Sequence, residues 1–223
     1  MFTRGLIELI APNACRVCQR PGAALCLECL RGRVSPRPRD CYLCYWGTSH
    51  GQVCIGCWRI SPLEGTTVVA RYEGVIRDLV ISLKTHNDRW AAEVLGAMIA
   101  RGILGCGRTF QLVTAVPTSP GRYRERGYNP AELIAKAVAA NLELPYRPLL
   151  LRLTTLHQIG QNRAQRWQQI RGAFYVPRPS SVEAKAILVV DDILTTGATL
   201  EEVARTLRAA GAVTVWAAAV ARH

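Results

Sequence analysis

Eight of the nine cysteines lie before residue 58, as four Cys-x-x-Cys turns: Cys15 with Cys18, Cys26 with Cys29, Cys41 with Cys44, and Cys54 with Cys57. Such a turn aims two thiolates at one centre, and two turns complete a tetrahedral site, so four turns make two zinc sites. A disulfide framework would need an oxidising compartment, and a thioredoxin-like redox pair has no use for four tandem copies. Spacing leaves the pairing of turns open. Sequential pairing asks only for tight hairpins, since 7 and 9 residues separate the turns within each couple; a cross-braced arrangement would join the first turn to the third. A module this small cannot be held by core burial, so the metal is expected to be structural, with no open coordination position.

The second constellation is Ile187-Leu-Val-Val-Asp-Asp-Ile-Leu-Thr-Thr-Gly-Ala-Thr199. An apolar strand ends at two adjacent acids, a loop rich in hydroxyls follows, and a helix begins. In an open α/β sheet, ligands bind at the carboxyl ends of strands. The helix start offers free N–H groups and a positive dipole end to a phosphate. Thr195, Thr196 and Thr199 add hydroxyl donors, and Gly197 lets the backbone approach closely. Asp191 and Asp192 repel phosphate and suit sugar hydroxyls, a divalent cation or a cationic transition state. A phosphorylated sugar satisfies both ends at once.

The elements that must position these groups are legible as alternating strands and helices. Thr66–Tyr72, Gln111–Val116, Ala186–Val190 and Val213–Ala221 read as strands. Helical spacing joins Val75, Ile76, Leu79, Val80 and Leu83, then 91–104, then Leu200, Val203, Ala204 and Leu207, stopped by Gly211. A helix opens at Asn129 as N-cap, with Pro130 first, Glu132 placed to close a capping box, and a stripe of Leu133, Ile134, Ala137 and Val138. The expectation is an open, largely parallel α/β sheet behind an N-terminal Cys-rich double zinc-binding module. The divisions are a packing helix over 1–12, the zinc module over 13–60 and the α/β domain over 61–223.

The chain of 223 residues is 49% hydrophobic and 20% charged, which argues against disorder. No apolar run reaches the roughly 18 residues of a membrane span, and the first residues lack a small-residue cleavage site, so neither membrane nor secretory export is expected. The cytoplasm would keep the thiols reduced. Net charge is +12, with 25 of the 28 basic residues arginine, and the stretch 144–182 holds six Arg and no acid. Coding bias explains part of this; uneven placement favours a phosphate-facing surface. Arg31, Arg33, Arg37 and Arg39, near Tyr42, Tyr45, Trp46 and Trp58, could grip single-stranded DNA by phosphate pairing and base stacking, or form an exposed linker whose aromatics pack on the zinc turns.

The 187–199 segment resembles the phosphoribosyl pyrophosphate (PRPP) motif of type I phosphoribosyltransferases. Together with the Cys-x-x-Cys turns, the chain resembles the ComF family of competence-associated, amidophosphoribosyltransferase-like proteins. Tyr72-Glu-Gly74 leading to Leu83-Lys84, Ala115-Val-Pro117 followed by Arg122-x-Arg-Glu-Arg-Gly-Tyr-Asn129, and Gln158 through Asn162-Arg-Ala-Gln-Arg166 to Arg171-Gly-Ala-Phe174 extend the likeness over about 13–223. The chain departs from the family pattern at Thr85, Pro130 and Gln161-Asn162.

The resemblance implies a type I phosphoribosyltransferase-like sheet. In it, Asp191 and Asp192 hold the ribose 2- and 3-hydroxyls with Mg²⁺ near, and Thr195, Thr196, Gly197, Ala198 and Thr199 cradle the 5-phosphate. The turn after Val116 would face the pyrophosphate, with charge from Lys84 and from Arg124 or Arg126. Residues 154–171 would be a lid over PRPP, carrying Arg163 and Arg166. Read as residues alone, Lys84 also compensates a helix dipole, and the 122–126 arginines also suit a solvated face.

The family is implicated in DNA uptake and natural transformation, which implies other competence proteins as partners. Three functions stay open at this point: Mg²⁺-dependent phosphoribosyl transfer with pyrophosphate release to an unknown acceptor; a non-catalytic, PRPP-sensing protein that binds single-stranded DNA; and a regulator of nucleotide metabolism without DNA contact.

Overall fold

The computed structural model describes residues 14–153 and 170–222 apart from positions 16, 23 and 24. The helix expected over 1–12 and most of the 154–171 lid, Arg163 and Arg166 included, lie outside these residues.

The apolar run from Ala186 forms the middle of a parallel sheet, because its alternate side chains are buried on both faces. The sheet order is β1 (Gly65–Arg71), β6 (Thr214–Arg222), β5 (Ala186–Leu194), β2 (Leu112–Ala115), with every pair parallel. Two short strands, β3 (Leu151–Arg152) and β4 (Phe174–Tyr175), form a separate antiparallel pair. The helices are α1 (Leu27–Arg33), α2 (Gly74–His86), α3 (Arg89–Leu104), α4 (Pro120–Arg126), α5 (Pro130–Asn141) and α6 (Ala198–Ala209). None of the described helices is long and apolar enough to cross a membrane.

Successive strand residues face opposite ways, and the core divides accordingly. Leu188, Val190, Trp216, Ala218 and Val220 pack with α2, α3 and α5. Ile187, Val189, Val215, Ala217 and Ala219 pack with α6 and with Leu149, Leu150 and Phe174. In α2 the buried residues are Val75, Ile76, Leu79, Val80 and Leu83, the five with helical spacing. Helices α3 and α5 meet so closely that a Cβ on Gly96 would stand 2.4 Å from the Ala137 Cβ.

Three expectations change. The central strand does not stop at Val190; it runs through Asp191 and Asp192 to Leu194 because β6 keeps pairing with it, Asp191 opposite Ala219 and Leu194 opposite Arg222. The capping box at Asn129 does not form. The Asn129 side chain accepts from the Ala131 N–H and donates to the Val116 carbonyl, while Glu132 pairs with Lys136 at 2.8 Å. The α5 stripe is also displaced: Ala131, Ala135 and Ala139 are buried beside Ile134 and Val138, and Leu133 and Ala137 are only partly covered.

The cysteine module straddles the sheet. Cys15, Leu25 and Cys29 belong to the apolar cluster on the α2 face, whereas Cys41, Tyr42 and Val53 belong to the one on the α6 face. Between them the chain passes along edge strand β1, with Pro36 bridged to Ala70 and Gln52 to Gly65. An otherwise open edge is covered in this way.

Candidate functional site

Thiols come together as two quartets, Cys15, Cys18, Cys26 and Cys29, then Cys41, Cys44, Cys54 and Cys57, with the four sulfurs of each within 4.8 Å of one another. This is the sequential pairing; the cross-braced alternative is excluded. A tetrahedron with Zn–S bonds of about 2.3 Å has sulfurs about 3.8 Å apart. The Cys18–Cys26 and Cys44–Cys54 sulfurs are 3.7 and 3.5 Å apart, far beyond the roughly 2.05 Å of a disulfide. Each quartet can therefore hold a metal ion such as zinc. In each, the first cysteine is prepared as a thiolate. Burial pushes the Cys15 thiol up, but the backbone N–H groups of Cys18, Cys26 and Val17 outweigh it and bring it down to about 6. Cys41, with Cys54, Cys44 and Leu43 in those roles, falls to about 7.

The acidic pair lies where β2 ends. The last β2 pairing on β5 is Ala115 with Val190, followed by one bond from the Val116 N–H to the Val190 carbonyl. Pro117 can donate none. Beyond Val190, the β5 edge therefore opens into a crevice of the kind that binds ligands in α/β sheets. Asp192 points to the α2 face and pairs with Lys84 Nζ at 2.8 Å, the two side chains 18% and 26% exposed. Lys84 is held there by its helix end: Tyr128 donates its hydroxyl to the Leu83 carbonyl at 2.6 Å and accepts from the Asn87 N–H. Asp191 accepts from the Asp192 N–H. Its carboxyl is pushed up to about 8, first by burial, then by the charge of Asp192, with Lys84 and Arg152 pulling the other way.

The loop that follows is built for close approach. Gly197 sits at φ +86°, and a Cβ there would stand 3.2 Å from the Tyr42 ring. Thr196 Oγ1 accepts from the Ala198 N–H at 3.4 Å. Gly197 gives α6 no side-chain cap, so the first-turn N–H groups after Ala198 are available to an anion. Gly197→Ala is expected to cost about 1–2 kcal/mol for the left-handed backbone alone, with a further loss as Tyr42 is displaced; urea denaturation of zinc-loaded protein measures it.

After Val116 the chain turns through residues 117–119 into helix α4, which is capped by Ser119, whose hydroxyl accepts from the Arg122 N–H. Proline at its first position and a polar cap just before it are the signal that could have revealed it. Arg124 and Arg152 line a cavity of about 410 Å³ beside Pro117 and Tyr146; Arg126 is not among the lining residues.

Two participants escaped the sequence reading. Arg152 lies partly buried on β3 with its guanidinium over Phe174, and it acts on Asp191 electrostatically. The acid-free stretch 144–182 pointed to its neighbourhood, not to it. Glu202, buried on α6, accepts from the Gly172 N–H at 2.8 Å and pairs with Arg205. It thus anchors the chain just after the 154–169 segment. The helical pattern of α6 leaves such an acid indistinguishable from a solvent-facing one.

The Arg31–Arg39 stretch is less free than expected. Arg31 and Arg33 belong to α1. Arg37 forms a largely buried ion pair with Asp40 at 2.8 Å, and Arg39 donates to the Ser49 and Gly105 carbonyls. Tyr42 is fully buried and cannot stack on a base, while Trp46 and Trp58 remain 71% and 59% exposed.

A family model described as the phosphoribosyl transferase domain matches residues 130–223. Competence protein F of Haemophilus influenzae is 26% identical over 178 residues, 75% of this chain and 78% of that protein. DNA utilization protein YhgH of Escherichia coli K12 is 26% identical over 223 residues, 93% of this chain and 97% of that one. These likenesses support assigning the chain to the ComF family. The fold is a phosphoribosyltransferase-like parallel sheet joined to a Cys-rich module with two quartets that could each hold a metal ion. Among solved structures, glutamine PRPP amidotransferase from B. subtilis is 24% identical with a TM-score of 0.42. That match covers 59% of this chain and only 26% of the amidotransferase.

Proposed function

We propose that this protein binds PRPP at the crevice between β5 and β2 and transfers its phosphoribosyl group, serving DNA uptake in line with relatives named for competence and DNA utilization. The observation that carries the reading is the Asp191–Asp192 pair, with Asp192 held by Lys84, at the mouth of a helix whose N-cap Gly197 is in the left-handed conformation and offers no side-chain cap. Asp191 and Asp192 would receive the ribose hydroxyls, and 195–199 the 5-phosphate. Lys84, Arg124, Arg152 and, from the 154–171 segment, Arg163 and Arg166 would meet the pyrophosphate. Mg²⁺, when bound, would neutralise the pyrophosphate oxygens, and the carboxylates are hard donors that suit it.

In the transfer, an acceptor lone pair bonds to C1 as the C1–O bond breaks, and the electron pair leaves with pyrophosphate. The developing ribosyl cation would have the Asp192 carboxylate beside it for stabilisation, with the protonated Asp191 carboxyl as a polar neighbour. Residues 13–60 would form the double zinc module and 61–223 the transferase domain, in a cytoplasmic protein whose thiols stay reduced.

The test is pyrophosphate release from PRPP with ammonia and nucleobases as acceptors. Release that depends on Asp191 and Asp192 supports transfer, and PRPP binding without release under any acceptor leaves the non-catalytic reading. Exposed Trp46 and Trp58, the latter with Arg59 5.8 Å from its ring centre, favour single-stranded DNA as partner in either case. Steep weakening of DNA binding with salt and loss on replacing both tryptophans with alanine is the expected signature.

A further inference from the structure

The last residue of β6 is an arginine in the core. Arg222 is 3% exposed. Its Nη2 donates to the Tyr42 carbonyl at 2.9 Å, and its guanidinium carbon lies 4.2 Å from the Tyr45 ring centre. Its Nε and Nη1 are buried without any acceptor. A buried cation with unmet donors is expensive unless an anion meets it.

The neighbours sharpen the problem. In the parallel register Arg71 of β1 stands directly beside Arg222, and like charges so placed repel. Arg37 reaches the same place from the linker, and its Nε is also buried without a partner. Its other end is engaged by Asp40. Arg37, Arg71 and Arg222, with Asp40 and Glu73, line a cavity of about 390 Å³ at the ends of β1 and β6. Three guanidinium groups face two carboxylates there, which leaves one positive charge in excess.

We propose that this cavity is a phosphate-binding site separate from the PRPP crevice, shared between the zinc module and the transferase sheet. The forked donors of arginine match phosphate oxygens two at a time, and the surplus charge equals that of one phosphodiester. The volume leaves room for the nucleoside that carries the phosphate. Arg222 lies opposite Leu194, the residue before the Thr195–Thr199 loop, so the site adjoins the loop but opens on the other side of β5, away from β2. The source of the phosphate is either a free nucleotide or a nucleic-acid backbone, and the two are separated by experiment.

The zinc-loaded full chain carrying Thr196→Val and Thr199→Val, which weakens the loop as a competing site, is titrated with inorganic phosphate, AMP and a short oligothymidylate. Binding is expected to persist in this background. Arg71→Gln, at an exposed residue whose loss spares the fold, is expected to weaken it about tenfold or more, and Arg222→Lys should do likewise. AMP binding points to a free nucleotide, and oligothymidylate binding without AMP binding to a nucleic-acid backbone; either supports the site. Absence of binding by all three probes, or binding that Arg71→Gln and Arg222→Lys leave unchanged, overturns it.

Discussion

Removal of metal by a strong chelator should unfold residues 14–60 and, through Tyr42, disable the phosphate loop. Structural zinc contributes about 10–16 kcal/mol of apparent folding free energy in small modules, more than any single core contact here can supply. The loss would not stay local. Cys41 and Tyr42 are fully buried in the core on the α6 face, and the Tyr42 ring packs against Gly197. The two quartets should therefore differ. Cys41→Ser, on the α6 face, is expected to abolish PRPP binding along with one zinc. Cys15→Ser, on the α2 face, should release one zinc and lower the melting temperature but retain measurable PRPP binding. Metal analysis, thermal melting and PRPP titration on the three proteins check this. An unchanged melting temperature after full chelation would sink it, as would equal PRPP binding by the two serine variants.

Asp191→Asn is expected to move binding and stability in opposite directions. The folded protein holds a proton on Asp191 up to about pH 8, whereas the unfolded chain loses it near the ordinary value of 3.8. Between those values the native state binds more protons than the unfolded state. The contribution of Asp191 to stability is therefore complete below about pH 4 and is lost as pH rises through about 8. Asparagine carries no charge to bury, so the variant should match the wild type at pH 4 and melt higher at pH 9 without ligand. PRPP binding should fall about tenfold, the worth of one or two hydrogen bonds to the ribose hydroxyls.

Asp192→Asn differs because it strips Lys84 of its partner in a mostly covered pair. It should destabilise by about 1–3 kcal/mol while also weakening PRPP. Melting curves at the two pH values, with PRPP titration of each variant, separate the roles. A wild-type pH profile in Asp191→Asn would refute the account of its burial, and undiminished PRPP binding in the double variant would refute the assignment of the crevice.

The two features with strong local chemistry were legible in the amino-acid order. Cys-x-x-Cys spacing is fixed by the bite of a turn around a metal, and those eight residues form two quartets without exception. The run Leu188–Val190 is apolar on successive residues because both sheet faces are covered, and the α2 stripe survives unchanged because helix periodicity is a local property. Residues 187–199 carried the strand, acids, loop and helix start in one continuous segment, and only the end of the strand was misplaced. Its length depends on β6, which lies elsewhere in the chain.

Everything that required two distant segments to meet was decided by the tertiary structure. Lys84 and Asp192 are far apart in sequence, and nothing local distinguishes Lys84 from a lysine that compensates a helix dipole. Tyr42 read as an aromatic free for stacking until packing on the α6 face buried it against Gly197. Arg222 ended an ordinary strand until β1 brought Arg71 beside it and the linker brought Arg37. Local spacing encodes turns, periods and ligand bites because these are settled within a few bonds. Partnership between charges, and the burial that sets their protonation, depends on which surfaces the sheet brings together.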